Sequence, residues 1–151
     1  MGIFDFVKEA GERLFGGKEA RAEAKQETEE ALLNQVNQMG LKSDNLSIDF
    51  NDGVATITGS AISQEEREKI VLLVGNTKGV SQVDDQMTVE LQEQEAILYT
   101  VESGDTLSKI SQSQYGNAGK YTVIFDANKP MLKDPNMIYP GQVLRIPRLE
   151  G

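Results

Sequence analysis

Apolar residues recur along the chain with two different periods, and glycines mark where one gives way to the other. Ile3, Phe6, Val7 and Ala10 stand at helical spacing, with Gly11 where a helix C-terminal glycine belongs. The spacing predicts a short amphipathic helix over 3–10 that docks on the domain behind it. A second, weaker helical stretch is expected until Gly16-Gly17. Over 19–39, Ala24, Thr28, Ala31, Leu32, Gln35, Val36 and Met39 form one stripe that Gly40 ends, and the remaining Glu, Lys and Gln make a solvated face.

The period then changes to two. Leu46, Ile48 and Phe50 alternate with polar residues, as do Ala55 and Ile57, and Asn51-Asp52-Gly53 between them is a hairpin turn. Gly59 is expected to break the second strand. Ser63-Gln-Glu-Glu66 is a capping-box pattern opening a helix. Its stripe is Arg67, Ile70, Val71 and Val74, with Gly75 as its stop. A third strand runs from about Val80 to Leu91, with Val83, Met87, Val89 and Leu91 on one side. The order is helix, strand, strand, helix, strand, and two helices can cover one face of a three-stranded sheet.

The second half repeats neither pattern. Tyr99-Thr-Val101 reads as a short strand, and Ser103-Gly-Asp-Thr-Leu107 as a turn into a helix that Asp105 or Thr106 can cap. Leu107, Ile110 and Tyr115 share its inner face and Gly116 stops it. A second helix spans about Lys120 to Asn128, with Tyr121, Ile124 and Phe125 inward. After a loop marked by Pro130 and Pro135, Ile138-Tyr-Pro-Gly141 signals a type II turn. Val143 to Ile146 is the closing strand, and Pro147 ends it.

Charge divides the chain at the same place. Of 151 residues, 24 are acidic and 15 basic, a net charge of −9. Residues 1–96 hold 19 acids and 9 bases, whereas 97–151 hold 5 and 6. The predicted division is therefore 1–91, a linker over 92–97, and 98–148. The acidic balance argues against a general nucleic-acid binder and against a binder of anionic lipid. With no cysteine and no histidine, a disulfide framework, the usual zinc sites, a Cys nucleophile and a His general base are all excluded. Phosphate loops and nucleophile–base pairs are not seen, so no enzyme is expected. No apolar run approaches ~18 residues. The start lacks a basic leader, Asp5, Lys8 and Glu9 interrupt its apolar stretch, and Phe6 stands where a myristoylation signal wants Ser or Thr. The expected location is cytoplasmic.

Residues 20–91 resemble the BON domain through Val54-Ala-Thr-Ile-Thr-Gly59, Ser63 through Val74, and Gly79-Val-Ser-Gln-Val83. Residues 97–148 look like a LysM domain through Tyr99-Thr-Val-Glu-Ser-Gly-Asp-Thr-Leu107 and Ile138-Tyr-Pro-Gly-Gln-Val-Leu-Arg-Ile-Pro147. The fold class implied is α+β in two small domains, a BON-like αββαβ unit with an added N-terminal helix and a LysM βααβ unit. LysM domains usually bind N-acetylglucosamine polymers in a groove between two loops. The corresponding residues here are Gly104, Asp105 and Thr106, and Asn136, Ile138 and Tyr139. Read from the residues alone, Gly104 and Asp105 make only a turn and a cap, the preferred reading for a cytoplasmic chain. A glycan or protein partner through this unit is the alternative, as in an envelope adaptor.

The two domains in this order resemble a family of cytoplasmic bacterial potassium-binding proteins. Further carriers are the opening Met1 through Glu12, Val74-Gly-Asn-Thr-Lys-Gly79, and Ala127-Asn-Lys-Pro-Met-Leu-Lys133. The resemblance implies a monomeric K⁺ sensor, with K⁺ held by the backbone carbonyls of Val7, Ala10, Gly75, Thr77, Gly79 and Val80. Ion binding would close the N-terminal helix onto the BON domain. Helix ends leave carbonyls without helical partners and carry partial negative charge, and neutral carbonyls suit K⁺ as carboxylates suit Ca²⁺ and Mg²⁺. Without the resemblance, Gly11, Gly75 and Gly79 read as ordinary helix stops and turn residues. Asp84-Asp85 would point to opposite sides of a strand.

Overall fold

The computed structural model describes residues 2–11, 24–91 and 95–148. Its elements are β1 (Gly2–Asp5), α1 (Lys25–Gln38), β2 (Ser43–Asn51), β3 (Val54–Ser63), α2 (Gln64–Gly75), β4 (Gln82–Leu91), β5 (Ile97–Thr100), α3 (Leu107–Tyr115), α4 (Tyr121–Ala127) and β6 (Val143–Ile146). A single 3₁₀ turn, Ala118–Lys120, precedes α4. The helical stretch expected up to Gly16-Gly17, and the start of the helix expected at 19, lie outside the described residues.

The first unit is a four-stranded sheet in the order β1-β4-β3-β2, rather than the three strands expected. β2 and β3 form the predicted hairpin. Asp52 and Gly53 at its tip have φ of 45° and 85°, the positive angles a two-residue turn requires. α2 carries the chain over to β4, which runs parallel to β3. α1 and α2 cover the face that presents Ile48, Phe50, Ala55, Ile57, Val83 and Met87, all buried. Asp85 shares that buried face and pairs with Arg67 at 2.7 Å, while Asp84 lies on the other.

Two local expectations fail, each for a tertiary reason. Gly59 does not break β3, which runs on to Ser63. With φ of 120° it faces an irregularity in β2, where a β-carbon would meet the Asn45 carbonyl oxygen at 2.7 Å. The helix expected over 3–10 is also absent. Residues 2–5 form β1, antiparallel to β4 with Phe4 opposite Val83, and 7–10 form one turn closed by Ala10 N–H to the Val7 carbonyl at 3.0 Å. The same residues carry both periods, since Phe4 and Phe6 also alternate with Ile3 and Asp5. An unpaired β4 edge offers a full set of backbone partners, which outweighs a weak helical spacing in so short a segment.

α2 keeps half of its capping box. Ser63 Oγ accepts from Glu66 N–H at 3.2 Å, but the Glu66 carboxylate accepts from Lys42 N–H at 3.1 Å instead of turning back. Every residue from Ile70 to Gly75 is buried, because the sheet lies on one side of the helix and the second unit on another. Five consecutive apolar residues, Ile70 to Val74, are the sequence mark of such a helix.

The second unit has the expected strand, helix, helix, strand order, with β5 and β6 antiparallel. Thr106, not Asp105, caps α3, accepting from Lys109 N–H at 3.1 Å. Gly116 ends α3 in the left-handed conformation. Tyr139 to Gln142 form the predicted turn, with Gly141 at φ 90° and Gln142 N–H bonded to the Tyr139 carbonyl.

Two units with few mutual contacts would follow from separate apolar patterns, but the halves are joined by buried polar bonds. β5 covers one edge of β6. On the other edge, the Asn76 amide pairs with both backbone groups of Val143 at 2.8 and 2.9 Å, and the Asn128 amide does the same for Arg145. The Arg145 side chain continues across to Glu68 on α2. Val143 itself is buried in the core of the first unit. An open strand edge must be satisfied, and an asparagine amide offers both the donor and the acceptor it lacks.

Candidate functional site

Three segments meet at the C-terminal end of α2. A helix end has carbonyls without helical donors, and here local groups take some of them. Asn76 N–H bonds the Leu72 carbonyl at 2.8 Å, Thr77 N–H the Val74 carbonyl at 3.2 Å, and Thr77 Oγ1 the Leu73 carbonyl at 3.1 Å. The chain then turns at Gly79, whose φ of 100° suits only glycine. That turn receives the N-terminal segment. Gly79 N–H bonds the Lys8 carbonyl at 2.8 Å, and Phe6 N–H the Ser81 carbonyl at 2.9 Å.

The approach is close enough to require glycine on both sides. A β-carbon on Gly11 would lie 2.6 Å from the Asn76 carbonyl oxygen, and one on Gly75 would collide with the Phe6 ring. The second unit supplies the third wall. A β-carbon on Gly141 would stand 2.5 Å from Ala10 Cβ and 3.3 Å from Val7 Cβ. Residues 6–11 are thus gripped between the end of α2, the turn at Gly79 and the turn at Gly141.

Val7, Ala10, Gly75, Thr77, Gly79 and Val80 all fall in this junction. Gly75, Thr77, Gly79 and Val80 are buried, whereas the Val7 side chain is 48% exposed. The Val7 carbonyl accepts from Ala10 N–H, and the Thr77 carbonyl from Val80 N–H at 3.0 Å. Each keeps a second lone pair. Gly75 ends α2 as the last helical residue, and its lack of a side chain makes room for Phe6. Among the described residues, no three carboxylates gather as a metal site.

The candidate glycan residues lie in two loops of the second unit, and Tyr139 opens the turn that carries Gly141. Gly104 is exposed with φ of 89°. Asp105 Oδ2 accepts from Tyr99 Oη at 2.6 Å and from Glu102 N–H at 2.8 Å, so this carboxylate braces its loop. The bond from Tyr99 holds Asp105 below the usual carboxylate range, and the bond to Asp105 pushes Tyr99 up to about 12. Thr106 caps α3. Asn136 N–H is held by Asp134 Oδ1, Ile138 packs against the second core, and Tyr139 N–H approaches Gln142 Oε1 at 3.4 Å.

Phe6, Lys8, Gly11, Asn76 and Gly141 also build the junction, and sequence reasoning assigned them no site role. The alternation of Phe4 and Phe6 was a readable sign of a strand. Nothing local announces that Asn76 pairs with Val143, because that bond spans 67 residues.

The described residues contain no helix long and apolar enough to cross a membrane. The BON domain model matches residues 23–90 and the LysM domain model residues 99–147. Over 148 residues the chain is 48% identical to the potassium binding protein Kbp of Escherichia coli O6:H1, spanning 97% of this chain and 99% of that one. An uncharacterized protein of Deinococcus radiodurans is 46% identical over 50 residues, 33% of this chain and 19% of that protein.

Proposed function

The chain belongs to the family of the potassium binding protein Kbp, and from that membership we propose that it is a cytoplasmic, monomeric K⁺-binding protein and sensor, not an enzyme. The proposed ligands are the backbone carbonyls of Val7, Ala10, Gly75, Thr77, Gly79 and Val80. The observation that carries this reading is the seating of residues 6–11 on the end of α2, fastened by Gly79 N–H to the Lys8 carbonyl at 2.8 Å. Carbonyl-bearing backbone converges there from two segments about seventy residues apart in sequence, at the negative end of a helix. Neutral oxygens of this kind replace the hydration shell of K⁺. Mg²⁺ dehydrates reluctantly and prefers carboxylates in near-octahedral array.

An ion shared by the two segments stabilises only the closed arrangement. Ligand at a hundred times its dissociation constant adds about 2.7 kcal/mol to that state. Closure here is of a strand and turn onto the BON unit, with Gly141 of the LysM unit against the same segment. Calorimetry of the full chain against K⁺, Na⁺ and Mg²⁺ tests the reading. A saturable heat with K⁺, a weaker one with Na⁺ and none with Mg²⁺ is expected, and deletion of 2–11 removes it. Equal responses to K⁺ and Na⁺ would mean only screening of an acidic protein.

Glycan binding through Gly104, Asp105, Thr106, Asn136, Ile138 and Tyr139 is the second reading, supported by the LysM match. It ranks lower because Asp105 and Thr106 already serve the turn and the helix cap. Binding of N-acetylglucosamine oligomers that is lost in Asn136→Ala would favour it.

A further inference from the structure

A cleft of about 250 Å³ opens between the two units, beside the junction. At about 30 Å³ for each water of liquid, this is room for roughly eight water molecules or a small organic molecule. Its walls come from α1 and the end of α2 on one side and from residues 131–142 on the other. Three of the chain's five methionines, Met39, Met131 and Met137, line it, and Met137 is 68% exposed. Thioether side chains are flexible and polarisable, and they adapt to an apolar guest.

Three polar residues of the lining bear on what the cleft could hold. Gln35 Oε1 is buried and has no hydrogen-bond partner among the described residues. A buried acceptor left without a donor is destabilising, so this group is explained if a guest supplies the donor. Gln142 is 5% exposed, and its Oε1 accepts from Tyr139 N–H. Lys133, an exposed residue, lines the same cleft.

We infer that this cleft is a second binding site, for a small carboxylate carrying an apolar side chain and an amide N–H, the chemistry of an N-acyl amino acid. The N–H donates to Gln35 Oε1, the carboxylate accepts from Lys133 and Gln142, and the apolar side chain rests on Met39, Met131 and Met137. A guest of this size and polarity binds with a dissociation constant on the order of 1 mM. Asn76 and Thr77 also line the cleft, so the guest and the junction share a wall. Resting on the potassium reading, K⁺ and the guest then change each other's affinity by the same factor.

The test is a titration of the full chain, methyl-labelled at methionine, with N-acetyl-leucine in sodium buffer and again with K⁺. The Met39, Met131 and Met137 resonances are expected to shift saturably, while Met87, buried in the sheet's core, stays still. Lys133→Gln, at an exposed position, should weaken binding about tenfold, as expected for loss of a charged hydrogen bond. Gln35→Leu should weaken binding while leaving the fold at least as stable, because it removes an unpaired buried acceptor. No shift at saturating ligand, an equal response to leucine amide or N-acetylglucosamine, or unchanged affinity in both variants would overturn the site. Unchanged affinity on adding K⁺, in protein whose calorimetry shows K⁺ heat, would overturn the linkage. Absence of K⁺ heat would count against the potassium reading and leave the sodium titration standing.

Discussion

The ring of Phe6 occupies the space that a β-carbon on Gly75 would need. One residue is the first buried side chain among the described residues and the other ends the last turn of α2, and neither position makes sense without its partner. Alanine for glycine inside a helix normally gains about 1 kcal/mol. Here the added carbon must expel Phe6, which is 9% exposed, and losing that burial costs about 1.5–3 kcal/mol. Packing wins, so Gly75→Ala is expected to destabilise by about 0.5–2 kcal/mol. In a Phe6→Ala background the same change becomes neutral or favourable. Denaturant unfolding of the four proteins of this cycle would decide it, and an equal loss in both backgrounds would refute the contact.

Gly79 offers a separable test of the ion site. Its φ of 100° makes any side chain there strained by about 1–3 kcal/mol. Gly79→Ala is expected to weaken K⁺ binding by about 5- to 150-fold, the loss expected from strain of this size, by shifting the turn that holds the Lys8 carbonyl. Lys78→Ala, one residue away, leaves K⁺ affinity within about twofold, because only main-chain oxygens are proposed as ligands there. Calorimetry on both variants reads the difference, and the reverse ranking would sink the carbonyl set.

Arg145 of β6 donates from Nε and Nη2 to the same Glu68 oxygen at 3.0 and 2.8 Å, with both side chains under a tenth exposed. The other Glu68 oxygen accepts from Ala96 N–H and Gln64 Nε2. Removing one member of such a pair strands the other, at about 3–5 kcal/mol. Glu68→Ala should show that loss in denaturant unfolding. The joint replacement Glu68→Leu with Arg145→Met should recover most of it. A double variant as unstable as the single would argue that shape rather than charge joins the units here.

The Tyr99–Asp105 bond predicts a stability that falls at both extremes of pH. Asp105 is held low in the folded chain. Its contribution is therefore present above the unfolded value near 3.8 and is lost as pH falls through the folded one. Tyr99 is raised to about 12, so its contribution is complete below 10.0 and disappears as pH rises through the folded value. Ultraviolet titration of the tyrosines checks the alkaline limb. Asp105→Asn should move one tyrosine back toward 10.0. An unchanged titration would show that the bond does not hold in solution.

Local rules were enough to read most elements from the residues. Asn51-Asp52-Gly53, Ser63 before α2, Gly116 after α3 and the Pro140-Gly141 turn each depend on backbone angles or orphan helix groups within four or five residues, and all occur. The two-unit α+β plan follows from those signals and from the two apolar periods. Position along the chain could not say what the first ten residues do. Ile3 to Ala10 carry helical and alternating spacing together, and the open edge of β4, more than seventy residues away, settles the matter by offering a hydrogen-bond ladder. The same holds for Gly75, which reads as a stop until Phe6 is placed beside it, and for Asn76 and Glu68, whose partners appear only when β6 arrives. Sequence by itself determined the elements, because their causes are local. Tertiary structure alone decided the junction, because its causes are partners brought together from distant parts of the chain.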